Sequence, residues 1–150
     1  MEQLCDKIQC NPQLGPVRHW NFAWYTPHVV VVAIGQNDSH PEDFMEPGLD
    51  NPKAQNWMAH YGAFIGRLRQ CYPKATILLT TTILNHNANW DRAIATVCQK
   101  LGDAKIHHFL YSNNGCGTPG HIRRPEAERM AEELSAFVET LGEDIWEDGI

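Results

Sequence analysis

The chain has 150 residues, 43% hydrophobic and 20% charged, an ordinary composition for one globular domain with a single core. Its net charge of −6, with no run of Lys or Arg, argues against a nucleic-acid groove. No apolar run reaches the ~20 residues of a membrane span, and Met1-Glu2-Gln3-Leu4-Cys5-Asp6 lacks the basic and apolar parts of a signal peptide, so the compartment stays unassigned.

Ahead of Pro27 lie Trp20, Phe22, Trp24 and Tyr25, large aromatic groups that a short arm cannot bury alone. His28 to Ile34 (H-V-V-V-V-A-I) lacks the alternation of a half-exposed strand and predicts a strand covered on both faces, ended by Gly35. Asn51-Pro52 predicts a helix start, and Trp57, Tyr61, Phe64, Ile65 and Leu68 recur at helical spacing until Tyr72-Pro73. Ala75 to Ile83 is β-branched and reads as a second buried strand. Asn89 is expected to cap a helix bearing Ile94, Val97, Cys98 and Leu101 on one face and closed by Gly102. Lys105 to Tyr111 is a third strand, and Asn113-Asn114-Gly115-Cys116-Gly117 a loop. Arg124-Pro125 opens a last helix with Glu126 and Glu128 in its first turn and Ala127, Met130, Ala131, Leu134, Phe137, Val138 and Leu141 inward. Glu143 to Ile150 reads as an acidic tail with Trp146.

The order β-α-β-α-β-α predicts an α/β domain with parallel crossovers, one domain over 1–150 with its core over about 16–141 and the tail at 142–150. Three strands make a thin sheet, since small sheets usually carry about five. The chain therefore reads as the later part of a five-stranded domain. Five cysteines, with no C-x-x-C pair, read as free thiols; Cys71 and Cys98 are small apolar fillers. His107 and His108 are consecutive in a strand, point to opposite faces and cannot share a metal, and His121 with Cys116 has no matching ligand pair. The expectation is no metal and no cofactor.

Two places carry chemistry. Gln36, Asn37 and Asp38 follow the valine strand at its carboxyl edge, where open α/β sheets bind ligands. An Asn there can donate its amide to a developing oxyanion, whereas in a plain turn it would bond local backbone. The second place is Gly115-Cys116-Gly117-Thr118-Pro119-Gly120-His121, a shaped loop that emerges at the same edge and ends on a histidine. Trp90 stands beside Asn85, His86, Asn87 and Asn89 at that edge and suits either a pocket wall for an acyl or sugar group or a loop anchor.

Gly35-Gln36-Asn37-Asp38 and the Gly120-His121 pair before the last helix together resemble the SGNH (GDSL-type) hydrolase superfamily. With the Tyr72-Pro73-x-Ala75 stretch before the second strand, the pattern looks most like carbohydrate esterase family two and its relatives. The resemblance implies a three-layer α/β/α flavodoxin-like sheet, here about three of five strands. It also implies ester hydrolysis, with Asn37 in the oxyanion hole, His121 as general base, and a small acyl ester or acetylated carbohydrate as substrate. Gln36 and Trp90 are the further substrate-binding candidates.

The departures are specific. The family's nucleophile lies in a Gly-Asp-Ser block, and this chain has none; its serines are Ser39, Ser112 and Ser135. Gly15, in Leu-Gly-Pro, is a poor match for the glycine that normally supplies a second oxyanion donor. The chain is thus expected to be the C-terminal portion of a longer serine esterase, inactive alone. The position three residues before the base, Asp in most of the family, is Thr118. Either a backbone carbonyl of the 115–120 loop orients His121, as in family two relatives, or Asp38 or Asp43 substitutes. A different class of function, a non-catalytic α/β interaction module, is the alternative. With its first strand missing, the valine strand would present a bare edge that invites self-association.

Overall fold

The computed structural model describes residues 3–9 and 11–146. Two short antiparallel strands, β1 (Lys7–Gln9) and β2 (Arg18–His19), precede a parallel three-stranded sheet of β3 (Val29–Ala33), β4 (Thr76–Thr80) and β5 (Ile106–His108) in the order β3-β4-β5. The helices are α1 (Pro52–Cys71), α2 (Asn89–Leu101) and α3 (Arg124–Thr140). The chain is therefore α/β with the expected element order, an incomplete flavodoxin-like sheet. The hairpin had no sequence signal; Asp6 ties it to α1 by accepting from His19 Nδ1 at 3.1 Å and Arg67 Nη2 at 3.3 Å. No helix among the described residues is long and apolar enough to cross a membrane.

Local rules explain the elements. Asn51 caps α1 as expected, its side chain accepting from the Ala54 amide at 3.0 Å with Pro52 behind it. The cap of α2 is not Asn89, which already belongs to the helix. Asn87 takes that task, accepting from the Asn89 amide at 2.9 Å. At the start of α3, Glu126 reaches back to the Arg123 amide at 2.7 Å, and its carboxyl is held well below the usual range by the Arg123 guanidinium.

One face of the sheet carries the core. Trp57, Tyr61, Ile65 and Leu68 of α1 and Trp90, Ile94 and Val97 of α2 enclose Val32, Ile77, Leu79 and Ile106. Trp57 and Tyr61 stack at 4.7 Å and are core, as their spacing predicts. The opposite face is covered by α3 over β5, where Phe137 packs 4.9 Å from Phe109 and 6.4 Å from His107. His107 and His108 face opposite sides, since His108 lies within electrostatic reach of Asp91 on α2 and is titrated below its ordinary value by burial. Ala127 and Ala131, expected to point inward, are exposed. In the tail, Trp146 turns back to 6.0 Å from the His28 ring, while residues 147–150 lie outside the described part.

The valine strand is the main correction. It was expected to be covered on both faces, yet Val31 is 46% exposed and Ala33 is exposed too. Val30, Val32 and Ile34 face the core, so period-2 alternation turns Val31 and Ala33 to the other side. There α3 sits over β5, and Val31 and Ala33 of β3 stay exposed. The only strand neighbour of β3 among the described residues is β4. Such an edge templates further pairing. The purified chain is expected to dimerise or aggregate in light scattering, and a monodisperse, high-melting monomer would contradict that.

The amino end of the sheet is tied differently. Arg69, on the last turn of α1, donates to the Asp103 carboxylate at 2.7 Å and to the carbonyls of Ala75 at 2.6 Å, Tyr72 at 3.2 Å and Lys105 at 3.3 Å. One guanidinium thereby joins α1 to the starts of β4 and β5.

Candidate active site

β3 ends at Gly35, and Gln36–Ser39 form a 3-10 turn held by Asp38 N–H to Gly35 O at 3.0 Å and His40 N–H to Asn37 O at 3.2 Å. Gly35 has φ +130, and a Cβ built there would lie 3.2 Å from Trp90 and 3.4 Å from Trp57, so only glycine fits this turn. Asp38 accepts from the Trp57 indole N–H at 3.1 Å, which pins the turn to α1. The exposed Asn37 side chain then stands at the carboxyl edge of the sheet. It lines an open cavity of about 540 Å³ shared with Leu4, Cys5, Ala33, Ile34, Phe64 and Leu84.

Leu84 links this cavity to the second motif. Its backbone pairs with Thr118 in a parallel bridge, and Asn85 N–H donates to Thr118 O at 2.9 Å. His121 follows three residues later, exposed, at the same carboxyl edge. It is not among the residues lining the cavity, and its side chain makes no hydrogen bond among the described residues.

The possible orienting groups are accounted for. Asp38 is engaged by Trp57, and Asp43 accepts from the Trp90 indole at 3.1 Å and the Met45 amide at 3.0 Å. Thr118 is buried and accepts from the Gly120 amide at 3.3 Å, which shapes the turn before His121.

Trp90 is a correction. Its side chain is fully buried, 5.2 Å from Trp57 and 5.1 Å from Phe44, and offers no face to a ligand. The first turn of α2 faces the core, so Trp90 supports the Gly35 turn from beneath. The Gln36 side chain lies outside the described part of the structure. The sequence reading placed His86 at the edge but missed its partner Asp91; the two side chains meet at 3.1 Å, largely buried, beneath the loop leading to His121. Their signal was slight: a His and an Asp five residues apart across a helix start.

No family model matches the chain. It is 27% identical over 129 residues to the cellulase/esterase CelE of Acetivibrio thermocellus, covering 79% of this chain and 15% of that protein. It is 27% identical over 128 residues to an acetylxylan esterase / glucomannan deacetylase of Cellvibrio japonicus, covering 81% of this chain and 33% of that one. The structure of a family two carbohydrate esterase from Cellvibrio japonicus superposes with a TM-score of 0.63 at 25% identity, covering 84% of this chain and 36% of its own. The chain thus spans a third or less of the curated relatives it matches. In sequence the chain is similar to these two esterases, and in fold to solved structures of family two carbohydrate esterases.

Proposed function

We propose that the chain carries the base and one oxyanion donor of a serine esterase that removes acetyl groups from carbohydrate, and that the nucleophile comes from outside these residues. The observation that carries the reading is the Asn37 turn, rigidly seated on Trp90 and Trp57, presenting an exposed amide to a cavity at the sheet edge from which the His121 loop also emerges. The β3 flank, with Val31 and Ala33 exposed, suits a further strand and helix bearing the serine.

In this reading the serine Oγ attacks the acetyl carbonyl carbon while His121 takes its proton. The carbonyl oxygen becomes an oxyanion and accepts from the Asn37 amide. His121 then protonates the departing sugar oxygen. In the second half, water attacks the acetyl-enzyme with His121 again as base, releasing acetate and restoring the serine. Asp38 and Asp43 each accept from an indole, and the His121 ring makes no hydrogen bond among the described residues, so in this reading its orienting partner arrives with the completed site.

The test is a chimera in which the Gly-Asp-Ser segment of a family two relative precedes this chain. It is expected to deacetylate acetylated xylan or aryl acetates, while the 150-residue chain alone stays at background. Within the chimera, Asn37→Ala is expected to raise the barrier by about 2.7–4 kcal/mol, the usual worth of one oxyanion donor, read as a fall in kcat. A chimera that folds but never exceeds background speaks for the other reading, an interaction module, which the exposed flank of β3 also suits.

A further inference from the structure

Two polar stretches of the sequence, Asn85-His86-Asn87 and Asn113-Asn114-Gly115, meet below the edge. The His86 side chain is 2% exposed and that of Asp91 14%. His86 Nδ1 lies 2.7 Å from the Leu84 carbonyl oxygen, and Nε2 lies 3.1 Å and 3.2 Å from the two Asp91 oxygens. A carbonyl and a carboxylate can only accept; Asn114 Nδ2 also lies 3.4 Å from Nε2, but it donates at 3.0 Å to both Asp91 Oδ1 and Thr81 Oγ1, so the arrangement calls for a proton on each ring nitrogen, an imidazolium. Asp91 is satisfied as a carboxylate: its Oδ1 also accepts from Thr81 Oγ1 at 2.6 Å and Asn114 Nδ2 at 3.0 Å.

The ring is also the floor of the loop. Gly115 has φ +70, and a Cβ there would sit 3.1 Å from His86 Nε2, so the Gly115 backbone lies against the imidazole. Around it, His86 N–H donates to Gly115 O at 3.1 Å, Gly115 N–H to Thr82 O at 3.1 Å, and Gly117 N–H to Ile83 O at 2.8 Å.

We propose that His86 is a positioning residue for His121: bridging the Leu84 carbonyl and the Asp91 carboxylate as an imidazolium, it clamps the segment after β4 to the loop that presents the base. Its meaning for catalysis rests on the esterase reading; the clamp does not. A neutral ring has one proton for two acceptors, so deprotonation sets a nitrogen lone pair against an oxygen and loosens the clamp.

Burial works against the charged ring, but the Asp91 bond and charge, the Leu84 carbonyl and the charge of Asp43 outweigh it and hold His86 above its ordinary value. Burial likewise disfavours the Asp91 charge, and the bonds from His86 and Thr81 still hold it below the carboxylate range. The charged or titratable groups facing His86 are Asp91 from α2 and Asp43 from the loop before α1, with His108 of β5 beyond Asp91. The 113–118 loop adds neutral Asn114 and Cys116, which is exposed and bonded to the Asn113 carbonyl. For His86, raised in the fold, the stabilisation is full below the ordinary histidine value and disappears as pH rises through its own raised one. For Asp91, lowered in the fold, it is full above the ordinary carboxylate value and disappears as pH falls through its own depressed one.

The test uses the full chain with ¹⁵N-labelled histidine. His86 is expected to show the imidazolium signature at neutral pH and to titrate above the ordinary ~6.5. Once intrinsic base catalysis is corrected for, the amides of His86, Gly115 and Gly117 are expected to lose protection about tenfold or more across that titration, with Ile77 in β4 unmoved. The His121 ring signal should shift with them. Asp91→Asn keeps the shape without the charge, and should lower the His86 titration point and the loop protection together. A neutral His86 at pH 7 overturns the proposal, as does a charged one whose loss leaves the loop amides and His121 unchanged. The wild-type titration needs no variant, so the test survives a variant that fails to fold. Failure of the esterase reading looks different: an inactive chimera with the His86 titration and loop protection intact.

Discussion

Trp90→Ala is expected to destabilise the chain by about 3–5 kcal/mol, the range for truncating a buried aromatic, read as a fall in the urea midpoint. Trp90 is fully buried, crossed edge-on by Trp57 at 5.2 Å and Phe44 at 5.1 Å. Truncation leaves a void between α1, α2 and the Gly35 turn, and strips the Asp43 carboxylate of its indole donor. A small domain has only about 5–15 kcal/mol in total, so the variant sits near the limit of folding. Trp90→Phe keeps most of the volume and loses the hydrogen bond, so it should cost distinctly less. Because Gly35 rests on this ring, the turn bearing Asn37 should loosen in both variants, visible as faster amide exchange at Asp38 and His40. A cost under about 1 kcal/mol for the alanine, the scale of an ordinary surface change, would show that the ring is not a core element.

His121→Ala, measured in the chimera, is expected to lower kcat by about 10²–10⁴-fold, the usual contribution of general acid–base catalysis. The same nitrogen must accept the serine proton and return it to the leaving oxygen, so its loss slows both halves of the reaction. The effect should fall on kcat and leave KM near its original value, since His121 contributes to the transition state and not to holding sugar. Combining it with Asn37→Ala should give less than the product of the two losses, because both act on one tetrahedral intermediate. Undiminished turnover in His121→Ala would move the base elsewhere.

The elements were readable because their signals are local. Asn51-Pro52 opened α1, the 57/61/65/68 spacing gave its inner face, and the β-branched run gave β4. What failed depended on neighbours. A valine run says that a strand can be buried on both faces, not that anything covers Val31. Trp90 beside amide-rich residues resembled a ligand wall, but its first-turn position on α2 decides that it points into the core. The His86–Asp91 pair was passed over because a polar loop next to a binding edge reads as surface, and only the fold shows Gly115 lying on the ring. Asn37 could be placed at the carboxyl edge because it follows a parallel strand, whereas the sequence could not say that His121 would stand outside the cavity Asn37 lines.

Arg69 gives the molecule a polarity of rigidity. By holding Asp103 and the carbonyls of Tyr72, Ala75 and Lys105 at once, it sets the relative height of β4 and β5 at the amino end. The strands are thus aligned from behind, as by a hinge pin, at the end opposite the candidate site. Lysine could not replace this residue, since a single ammonium cannot fan out to acceptors on three elements.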